Sequence, residues 1–409
     1  MPVLRVALDL PLHRLFDYLA STALSADVGL RVRVPFGRGE RIGVIVEVCE
    51  NSEWPLEQLK PAGQILRDLP PLPPDFFALC AFASNYYQAP FGEVVLQGLP
   101  VGLKRLDPPD RRKARASRPS EAIAKPELTL EQTTALAAID LAGGFSTHLL
   151  HGVTGSGKTE VYLRLIERAL DAGQQVLLLV PEINLTPQLE GRVRARFPDT
   201  GVVSLHSELA EAARERNWRA AFAGEASIVL GTRLSIFTPM PRLGLIVIDE
   251  EHDASFKQQD GMRYSARDVG VFRAHQLGIP ILLGSATPSL ESWANAQSKR
   301  YSLLTLKERA NPEATLPTVN LLDTRKMVLK EGVSERLIAA IKERLARGEQ
   351  SLIFLNRRGY APVLACMACG WVSRCTRCAA NMVLHLADRR LRCHHCGFEH
   401  RIPKACPTC

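Results

Sequence analysis

The segment HGVTGSGKTE, residues 151–160, constrains the fold of this chain more than any other stretch. It follows the apolar run STHLLHGV and opens the amphipathic run TEVYLRLIERALDAG, so its glycines lie between a predicted strand and a predicted helix. A glycine-rich turn in that position lets backbone N–H groups converge on phosphate oxygens at the start of a helix. The pattern predicts a P-loop for ATP, formed by Gly152, Val153, Thr154, Gly155, Ser156, Gly157, Lys158 and Thr159.

A P-loop enzyme also needs carboxylates, and the run LIVIDEEH, residues 245–252, supplies them. Its apolar residues place Asp249 at the end of a strand, where it can hold Mg²⁺ through water, and Glu250 beside it can orient the attacking water. Lys158 is expected to reach the β- and γ-phosphates, and Thr159 to ligate Mg²⁺. Taken alone, the two acids would be interpreted as exposed residues at a strand end. With the P-loop upstream, we predict that Lys158, Asp249 and Glu250 are catalytic.

The apolar runs around these motifs indicate the fold class. QVLLLVP, ASIVLGT, LGLIVIDE and IPILLGSA are short, nearly continuous and separated by helical stretches, which is typical of parallel strands buried on both faces. We therefore predict a multidomain protein with a RecA-like, doubly wound α/β lobe. The expected order is a β-rich domain at 1–103, a basic linker at 104–126, the P-loop lobe at 127–325, the start of a second α/β lobe at 326–365, and a Cys module at 366–409. In the second lobe we predict an amphipathic helix at 334–349 that Ser334 caps, followed by a strand formed by SLIFLN, residues 351–356.

Eight of the ten cysteines form four C-x-x-C pairs near the end of the chain. Such pairs supply thiolates for structural Zn²⁺ sites, and eight thiolates suit two ions. The inner spacing C-x₂-C-x₁₄-C-x₂-C favours nesting, in which the two inner pairs share one ion and the two outer pairs share the other. Iron–sulfur clusters are the alternative for four-cysteine sites. The predicted ligands are Cys366, Cys369, Cys375, Cys378, Cys393, Cys396, Cys406 and Cys409.

The bulk composition is compatible with an acidic polymer as partner. The formal net charge is +8 and the pI about 9.0, although a merely basic soluble protein fits these numbers equally well. We find no apolar run of about 18 residues that could span a membrane, and the amino terminus lacks the order of a signal peptide. We therefore expect a cytoplasmic, nucleoid-associated protein with no membrane partner.

Several segments carry a resemblance to known proteins. The P-loop, DEEH and the SAT of GSATPS, residues 284–289, resemble helicase superfamily 2. The match to the PriA family of replication-restart helicases is closer and runs along the whole chain except the linker. It rests on PFG, LTLEQTTAL, LLVPEINLTPQL, LHSEL, VLGTR, SFKQQDGMRYSARDV, FLNRRGYAP and the eight cysteines.

The resemblance assigns further residues. It implies that Gln132 contacts adenine. It also implies an aromatic-rich loop that couples DNA contact to ATP hydrolysis, formed by Phe256, Lys257, Gln258, Gln259, Arg263 and Tyr264, of which Lys257, Arg263 and Tyr264 would bind DNA. It also implies a pocket for the 3′ end of a nascent strand, formed by Phe16, Asp17, Gly37 and Lys60. An aromatic ring can stack on a base, and a carboxylate can accept a hydrogen bond from a 3′ hydroxyl.

The function implied by the family is ATP-dependent 3′-to-5′ DNA unwinding that recognises stalled or branched forks and initiates primosome assembly. The implied partners are branched or single-stranded DNA, other primosome proteins and single-stranded DNA-binding protein. The chain departs from the family pattern in two ways: a short linker replaces a winged-helix domain, and no GRxGR-type segment for an arginine finger is present.

The sequence also ends at Cys409, the last predicted ligand, without the rest of the second motor lobe. This suggests a chain truncated at its carboxy terminus, and it supports an alternative function, a non-catalytic fork-binding scaffold that recruits primosome proteins. A small P-loop kinase with a zinc tail is a third interpretation. It leaves the GTR, DEEH and SAT segments unexplained.

Overall fold

The computed structural model describes residues 2–106, 125–181, 187–311, 318–324, 327, 329–330, 332–354, 363–366, 368–378, 380–385, 388–394 and 396–409. Most of the predicted basic linker, and the FLNRRGYAP segment after its first residue, lie outside the described residues. The chain divides into two compact units, Met1–Thr315 and Leu316–Cys409, which are described separately. Among the described residues, no helix has both the length and the apolar character needed to cross a membrane.

The first unit begins with an antiparallel five-stranded sheet in the order β2-β1-β4-β3-β5. Its strands are β1 (Val3–Ala7), β2 (Phe16–Leu19), β3 (Arg31–Phe36), β4 (Gly39–Cys49) and β5 (Ile65–Leu66). Strands β3 and β4 pair up to Phe36 and Gly39, which leaves a two-residue hairpin turn that begins with Gly37. Gly37 has a φ of 61°, a conformation that glycine adopts readily and that such hairpins require.

Two helices, α1 (Pro74–Tyr87) and α2 (Phe91–Gln97), follow this sheet and pack against the rest of the unit. The ring of Phe82 stacks on that of Phe272 with centroids 3.7 Å apart, and the indole of Trp218 donates a hydrogen bond to the carbonyl of Gly98 at 3.2 Å. The β-rich region and the P-loop lobe therefore share one hydrophobic core within this unit.

The second sheet of this unit has seven parallel strands in the order β12-β6-β11-β10-β7-β9-β8. These strands are β6 (Ser146–Gly152), β7 (Gln175–Leu179), β8 (Val202–Leu205), β9 (Ile228–Gly231), β10 (Leu243–Ile248), β11 (Pro280–Ser285) and β12 (Ser302–Leu306). All residues of β7, β9, β10 and β11 are buried, because separate hydrophobic clusters cover the two faces of the sheet. The predicted doubly wound α/β lobe is confirmed.

The helices that cover this sheet begin and end at residues suited to those positions. Thr129 and Gln132 form a capping box at the first of them, and Gly278 ends the helix that Ser265 caps. The helices are α3 (Leu130–Ala137), α4 (Lys158–Asp171), α5 (Pro187–Arg196), α6 (Glu211–Phe222), α7 (Ala266–Leu277) and α8 (Leu290–Gln297). Short 3-10 helices lie at Ser25–Asp27, Leu56–Gln58, Val101–Lys104, Arg233–Phe237 and Ala254–Phe256.

The second unit contains the hairpin β13 (Leu329–Lys330) and β14 (Val333–Ser334), the helix α9 (Glu335–Ala346), and a small antiparallel sheet of β15 (Val383–His385), β16 (Arg390–Arg392) and β17 (Glu399–Arg401). Ser334 caps α9 as predicted, because its hydroxyl accepts a hydrogen bond from the backbone of Leu337.

One prediction for this unit is wrong. The run SLIFLN was expected to be the next strand, but its described residues, 351–354, form no strand and are exposed. A strand is stabilised by a hydrogen-bonded neighbour, and within the described part of the chain none pairs with this run.

Candidate functional site

The P-loop connects the end of β6 to the first residue of α4. Gly155 and Gly157 have φ values of 82° and 81°, in the left-handed region that other residues rarely adopt. A Cβ on Gly157 would also overlap the side-chain amide of Gln132. The ammonium group of Lys158 donates a hydrogen bond to the carbonyl of Gly152 at 2.9 Å. This hydrogen bond links the last part of the loop to its first residue.

We name the space beside this loop the P-loop cavity; its volume is about 580 Å³, within the usual range for ligand sites. The loop, the carboxylate pair and the helix that precedes the loop all line it, as do two arginines of α5. The cavity therefore brings together most of the residues predicted to bind or hydrolyse ATP, and its volume and glycine cradle fit a nucleotide. The lining residues relevant here are Gln132, Thr154, Gly155, Ser156, Gly157, Lys158, Thr159, Arg192, Arg196, Asp249 and Glu250.

Asp249 follows directly after β10 and is held from two sides. Its Oδ1 accepts a hydrogen bond from the hydroxyl of Tyr162 at 2.9 Å and another from the backbone N–H of Glu250 at 3.0 Å. Burial raises the pKa of Asp249, and the hydrogen bond from Tyr162 opposes that shift. Burial also raises the pKa of Tyr162 well above its usual value, so the phenol keeps its proton and acts as the donor.

Glu250 adopts a left-handed backbone conformation with a φ of 48°. This conformation is unfavourable for a residue with a side chain, and such strain is common at functional sites. Its carboxylate lies 3.6 Å from Nδ1 of His252. The same nitrogen is 2.7 Å from the hydroxyl of Ser285, and Nε2 of His252 is 3.3 Å from the hydroxyl of Thr287. A chain of polar contacts thus joins DEEH to the SAT segment.

Glu251, the second glutamate of DEEH, is among the site residues that the sequence motifs did not single out. Its side chain is fully buried and accepts hydrogen bonds from the backbone of Ser289 at 2.7 Å, from the hydroxyl of Ser292 at 2.8 Å and from Arg267 at 3.2 Å. The sequence did contain a signal for this role, because Glu251 is a charged residue close to the end of a buried strand and a buried carboxylate needs hydrogen-bond partners. Glu251 ties DEEH to α7 and α8.

Gln132, predicted to contact adenine, is buried and already engaged with the P-loop. Its Nε2 donates to the carbonyl of Ser156 at 2.9 Å, and its Oε1 accepts from the backbone of Thr129 at 3.0 Å. The structure places this residue against the loop and on the cavity wall. A contact with the base remains a prediction.

A separate cavity of about 250 Å³ lies in the antiparallel sheet, and Phe16, Asp17, Trp54 and Arg14 line it together with neighbouring residues. We name it the N-terminal cavity. Asp17 accepts hydrogen bonds from the hydroxyl of Ser52 at 2.6 Å and from Arg5 at 3.3 Å. These contacts hold the carboxylate in a defined orientation beside the aromatic rings.

The other two residues of the predicted 3′-end pocket do not line this cavity. Gly37 follows Phe36, whose ring contacts that of Phe16 edge-on at 5.4 Å. Lys60 is exposed, and its carbonyl accepts a hydrogen bond from Leu19, the last residue of β2. The structure therefore brings Phe16 and Asp17 together and leaves Gly37 and Lys60 on nearby segments.

The predicted aromatic-rich loop starts shortly after DEEH, and Lys257 and Arg263 are exposed on it. Tyr264 is different, since its side chain is completely buried and its ring contacts Phe237 edge-on at 5.2 Å. A ring enclosed in the core presents no surface to DNA in this structure, and a DNA contact of Tyr264 stays a prediction. Tyr264 anchors the loop.

The eight cysteines gather in two groups, which confirms the nested arrangement. The outer group joins Cys366 and Cys369 to Cys406 and Cys409, and the inner group joins Cys375 and Cys378 to Cys393 and Cys396. Facing Sγ atoms are 3.7 and 3.6 Å apart in the outer group and 3.5 and 3.5 Å apart in the inner group.

These distances fit Zn²⁺, because a tetrahedron of thiolates at a Zn–S distance of about 2.3 Å separates its sulfurs by about 3.8 Å. Thiol chemistry in the outer group points the same way. Backbone N–H groups of Thr408 and Cys409 lower the pKa of Cys406 to about 6, whereas the neighbouring thiols of Cys369 and Cys366 raise the pKa of Cys409 to about 12. Four thiols so close together compete for protons, and a divalent cation relieves that competition.

Family comparisons agree with this arrangement. The 3′ DNA-binding domain (3′BD) of PriA matches residues 5–100, the DEAD/DEAH box helicase domain matches residues 129–296, and the Cys-rich region (CRR) domain of PriA DNA helicase matches residues 375–401. Among solved structures, the Hef helicase domain of Pyrococcus furiosus is similar over 44% of this chain and 38% of its own, with 20% identity and a TM-score of 0.32.

Curated relatives share the name "Replication restart protein PriA". The protein from Haemophilus influenzae is 37% identical over 482 aligned positions that cover 100% of this chain and 66% of the relative. The protein from Rickettsia felis is 36% identical, over 98% of this chain and 61% of the relative. The protein from Bacillus subtilis is 45% identical, over 64% of this chain and 32% of the relative. The matched parts thus cover 66% or less of these relatives' lengths.

The parallel sheet, the P-loop and the DEEH segment define the centre of the chain as a DEAD/DEAH box helicase domain. A 3′ DNA-binding domain precedes it and a Cys-rich region follows it, and the similarity to the Haemophilus relative runs along the entire chain. The chain belongs to the PriA family of replication restart proteins.

Proposed function

We propose that this chain acts in replication restart as an ATP-dependent DNA helicase that moves 3′ to 5′. The observation that supports this most directly is the P-loop cavity, which Lys158, Asp249 and Glu250 line together. The contacts from Glu250 through His252 to Ser285 offer a route by which the state of the nucleotide reaches the SAT segment.

Each residue around the cavity has a chemical role in this proposal. The N–H groups from Val153 to Gly157 hold phosphate oxygens at the start of α4, and Lys158 neutralises the β- and γ-phosphates. Thr159 would ligate Mg²⁺ and Asp249 would hold it through water, and the ion would supply positive charge beside the phosphates; Glu250 orients the attacking water. Gln132 contacts the adenine after a modest rearrangement of its amide.

We further propose that DNA is contacted at three places. Phe16 stacks on the base at a strand's 3′ end while Asp17 accepts a hydrogen bond from its 3′ hydroxyl, with Gly37 and Lys60 close by. Lys257 and Arg263, both exposed, approach the phosphate backbone. The Cys module, folded around two Zn²⁺ ions, adds a third surface for branched DNA, other primosome proteins or single-stranded DNA-binding protein.

The decisive experiment compares the full chain with its Lys158→Ala variant in ATP hydrolysis, with and without forked DNA. We expect the chain to hydrolyse ATP faster with DNA, and Lys158→Ala to lose at least about tenfold of that activity, because the lysine's charge acts on the phosphates. If the unchanged chain binds forked DNA but shows no turnover that Lys158→Ala removes, the second candidate, a fork-binding scaffold, replaces the helicase. The two cavities and the Cys groups would then serve recognition alone.

A further inference from the structure

Tyr162 is a buried residue of α4, the helix that follows the P-loop. It lies four residues after Lys158 in α4, about one helical turn further on, and its side chain is 2% exposed. The hydroxyl donates a hydrogen bond to Oδ1 of Asp249 at 2.9 Å. A hydrogen bond therefore connects α4 directly to the carboxylate that holds Mg²⁺ in the proposed function.

The hydrogen bonds on Asp249 divide its two oxygens between different tasks. Oδ1 accepts both from Tyr162 and from the backbone N–H of Glu250. Among the residues that the structure describes, none bonds to Oδ2, while Asp249 lines the P-loop cavity. The two hydrogen bonds on Oδ1 thus restrict the rotation of the carboxylate and leave Oδ2 available for a ligand.

The neighbouring strand β11 has a glycine where the hydroxyl of Tyr162 approaches it. Gly284 belongs to β11, which pairs with both β6 and β10, and a Cβ on Gly284 would overlap the hydroxyl of Tyr162. The next residue, Ser285, contacts His252. The hydroxyl therefore lies where the P-loop helix, the DEEH strand and the SAT strand meet.

We infer that Tyr162 is a positioning residue for the bound Mg²⁺: its hydroxyl orients Asp249 so that the free carboxylate oxygen faces the water ligands of the ion. This inference rests on the proposed function, since it presupposes that the cavity binds Mg·nucleotide. Tyr162 does not line the P-loop cavity, so it acts on the ion only through Asp249. Its effect is confined to the part of nucleotide binding that depends on Mg²⁺.

The test uses the full chain with N-methylanthraniloyl-ADP as a fluorescent probe. Its affinity is measured in EDTA and then across a series of MgCl₂ concentrations, which gives the Mg²⁺ concentration at half-effect. For Tyr162→Phe we expect this midpoint to rise about tenfold, because a hydrogen bond to a charged group is worth about that factor. The affinity in EDTA should stay within about twofold of the unchanged chain.

Two controls separate positioning from a general loss of structure. Tyr18→Phe removes a comparable hydrogen bond from a buried tyrosine, 3.1 Å from the carbonyl of Pro35, far from the cavity in the antiparallel sheet, and should leave the midpoint unchanged. Gly284→Ala displaces the Tyr162 hydroxyl from the other side and should reproduce the raised midpoint. Circular dichroism melts ensure that all variants are compared at equal folded fraction.

A double variant tests whether Tyr162 acts through Asp249. Once Asp249→Asn has removed the carboxylate's charge, adding Tyr162→Phe should shift the midpoint no further. An unchanged midpoint in Tyr162→Phe, or an equal additional shift in the double variant, overturns the inference while nucleotide binding stands. If the unchanged chain binds no probe with or without Mg²⁺, the proposed function fails and the inference fails with it.

Discussion

The ammonium group of Lys257 lies 5.2 Å from the centre of the Tyr87 ring, so the last residue of α1 supports the loop that follows DEEH. The hydroxyl of Tyr87 also accepts a hydrogen bond from the backbone of Ser265 at 3.2 Å. Lys257 and Ser265 pair with each other across the base of the loop. A residue that follows the N-terminal sheet thus fixes both ends of the loop that bears the predicted DNA contacts.

We expect Tyr87→Leu to loosen this loop more than Tyr87→Phe does. The leucine removes both the cation–π contact and the hydrogen bond, each worth about 1 kcal/mol, whereas phenylalanine keeps the ring beneath Lys257. Hydrogen exchange followed by mass spectrometry should show amide exchange across residues 257–265 accelerated about tenfold in the leucine variant and less in the phenylalanine variant. Equal exchange in all three proteins would contradict this account of the loop.

Glu251 should matter for stability out of proportion to a single side chain. Glu251→Gln removes the buried charge that pairs with Arg267 and weakens the hydrogen bonds with Ser289 and Ser292. We therefore expect the free energy of unfolding to fall by about 3 kcal/mol. Urea denaturation measures it as a lower midpoint at unchanged slope. Glu291→Gln is the matched control in the same region, because the side chain of Glu291 is 72% exposed. A similar loss of stability in Glu291→Gln would contradict a special stabilising role for Glu251.

The Cys groups predict a definite metal content. Elemental analysis of the full chain should find two Zn²⁺ ions, and Cys375→Ser or Cys366→Ser should each remove one of them, because each variant breaks only one four-thiolate group. Cys49→Ser, a cysteine outside both groups, should keep both ions. Iron, or the visible absorption of an iron–sulfur cluster, would instead favour the alternative chemistry for these sites.

The N-terminal cavity predicts recognition of a strand end. Phe16→Ala should weaken the binding of short single strands with a free 3′ hydroxyl by about tenfold, since stacking on an aromatic ring is worth about 1–3 kcal/mol per base. Fluorescence anisotropy checks this, with 3′-phosphorylated strands for comparison. Leu12→Ala, which changes an exposed apolar residue outside the cavity, is the control. The assignment of the cavity fails if Phe16→Ala binds both kinds of strand as well as the unchanged chain.

Local sequence patterns predicted the helices and strands of this fold well, because these elements depend on interactions between residues that are close in the sequence. Continuous apolar runs give buried strands in parallel sheets, and the glycines of the P-loop permit backbone angles that other residues resist. The run SLIFLN shows the limit of this reasoning. Its composition suits a strand, but a strand also needs a paired neighbour, which a sequence pattern does not supply.

The candidate sites divide in the same way. The residues of the P-loop lie within eight positions of one another, and each C-x-x-C pair brings its own two ligands together, so residue type and spacing indicate their chemistry. Burial behaves differently. Tyr264 is an aromatic residue of the type that can stack on DNA bases, yet its ring is buried in the core. Burial depends on which elements pack over a side chain, and a local sequence pattern does not show this.

The amino-acid sequence by itself determined the class of chemistry: a phosphate-binding turn, a carboxylate pair after a buried strand, and four pairs of thiols. Only the tertiary structure decided how these parts cooperate. Tyr162 reaches Asp249 across 87 positions of the chain because α4 packs against β10, and Glu251 reaches Ser289 across 38 because β10 lies next to β11 in the sheet. Contacts between distant residues follow from the order of the strands, which no local pattern of residues encodes.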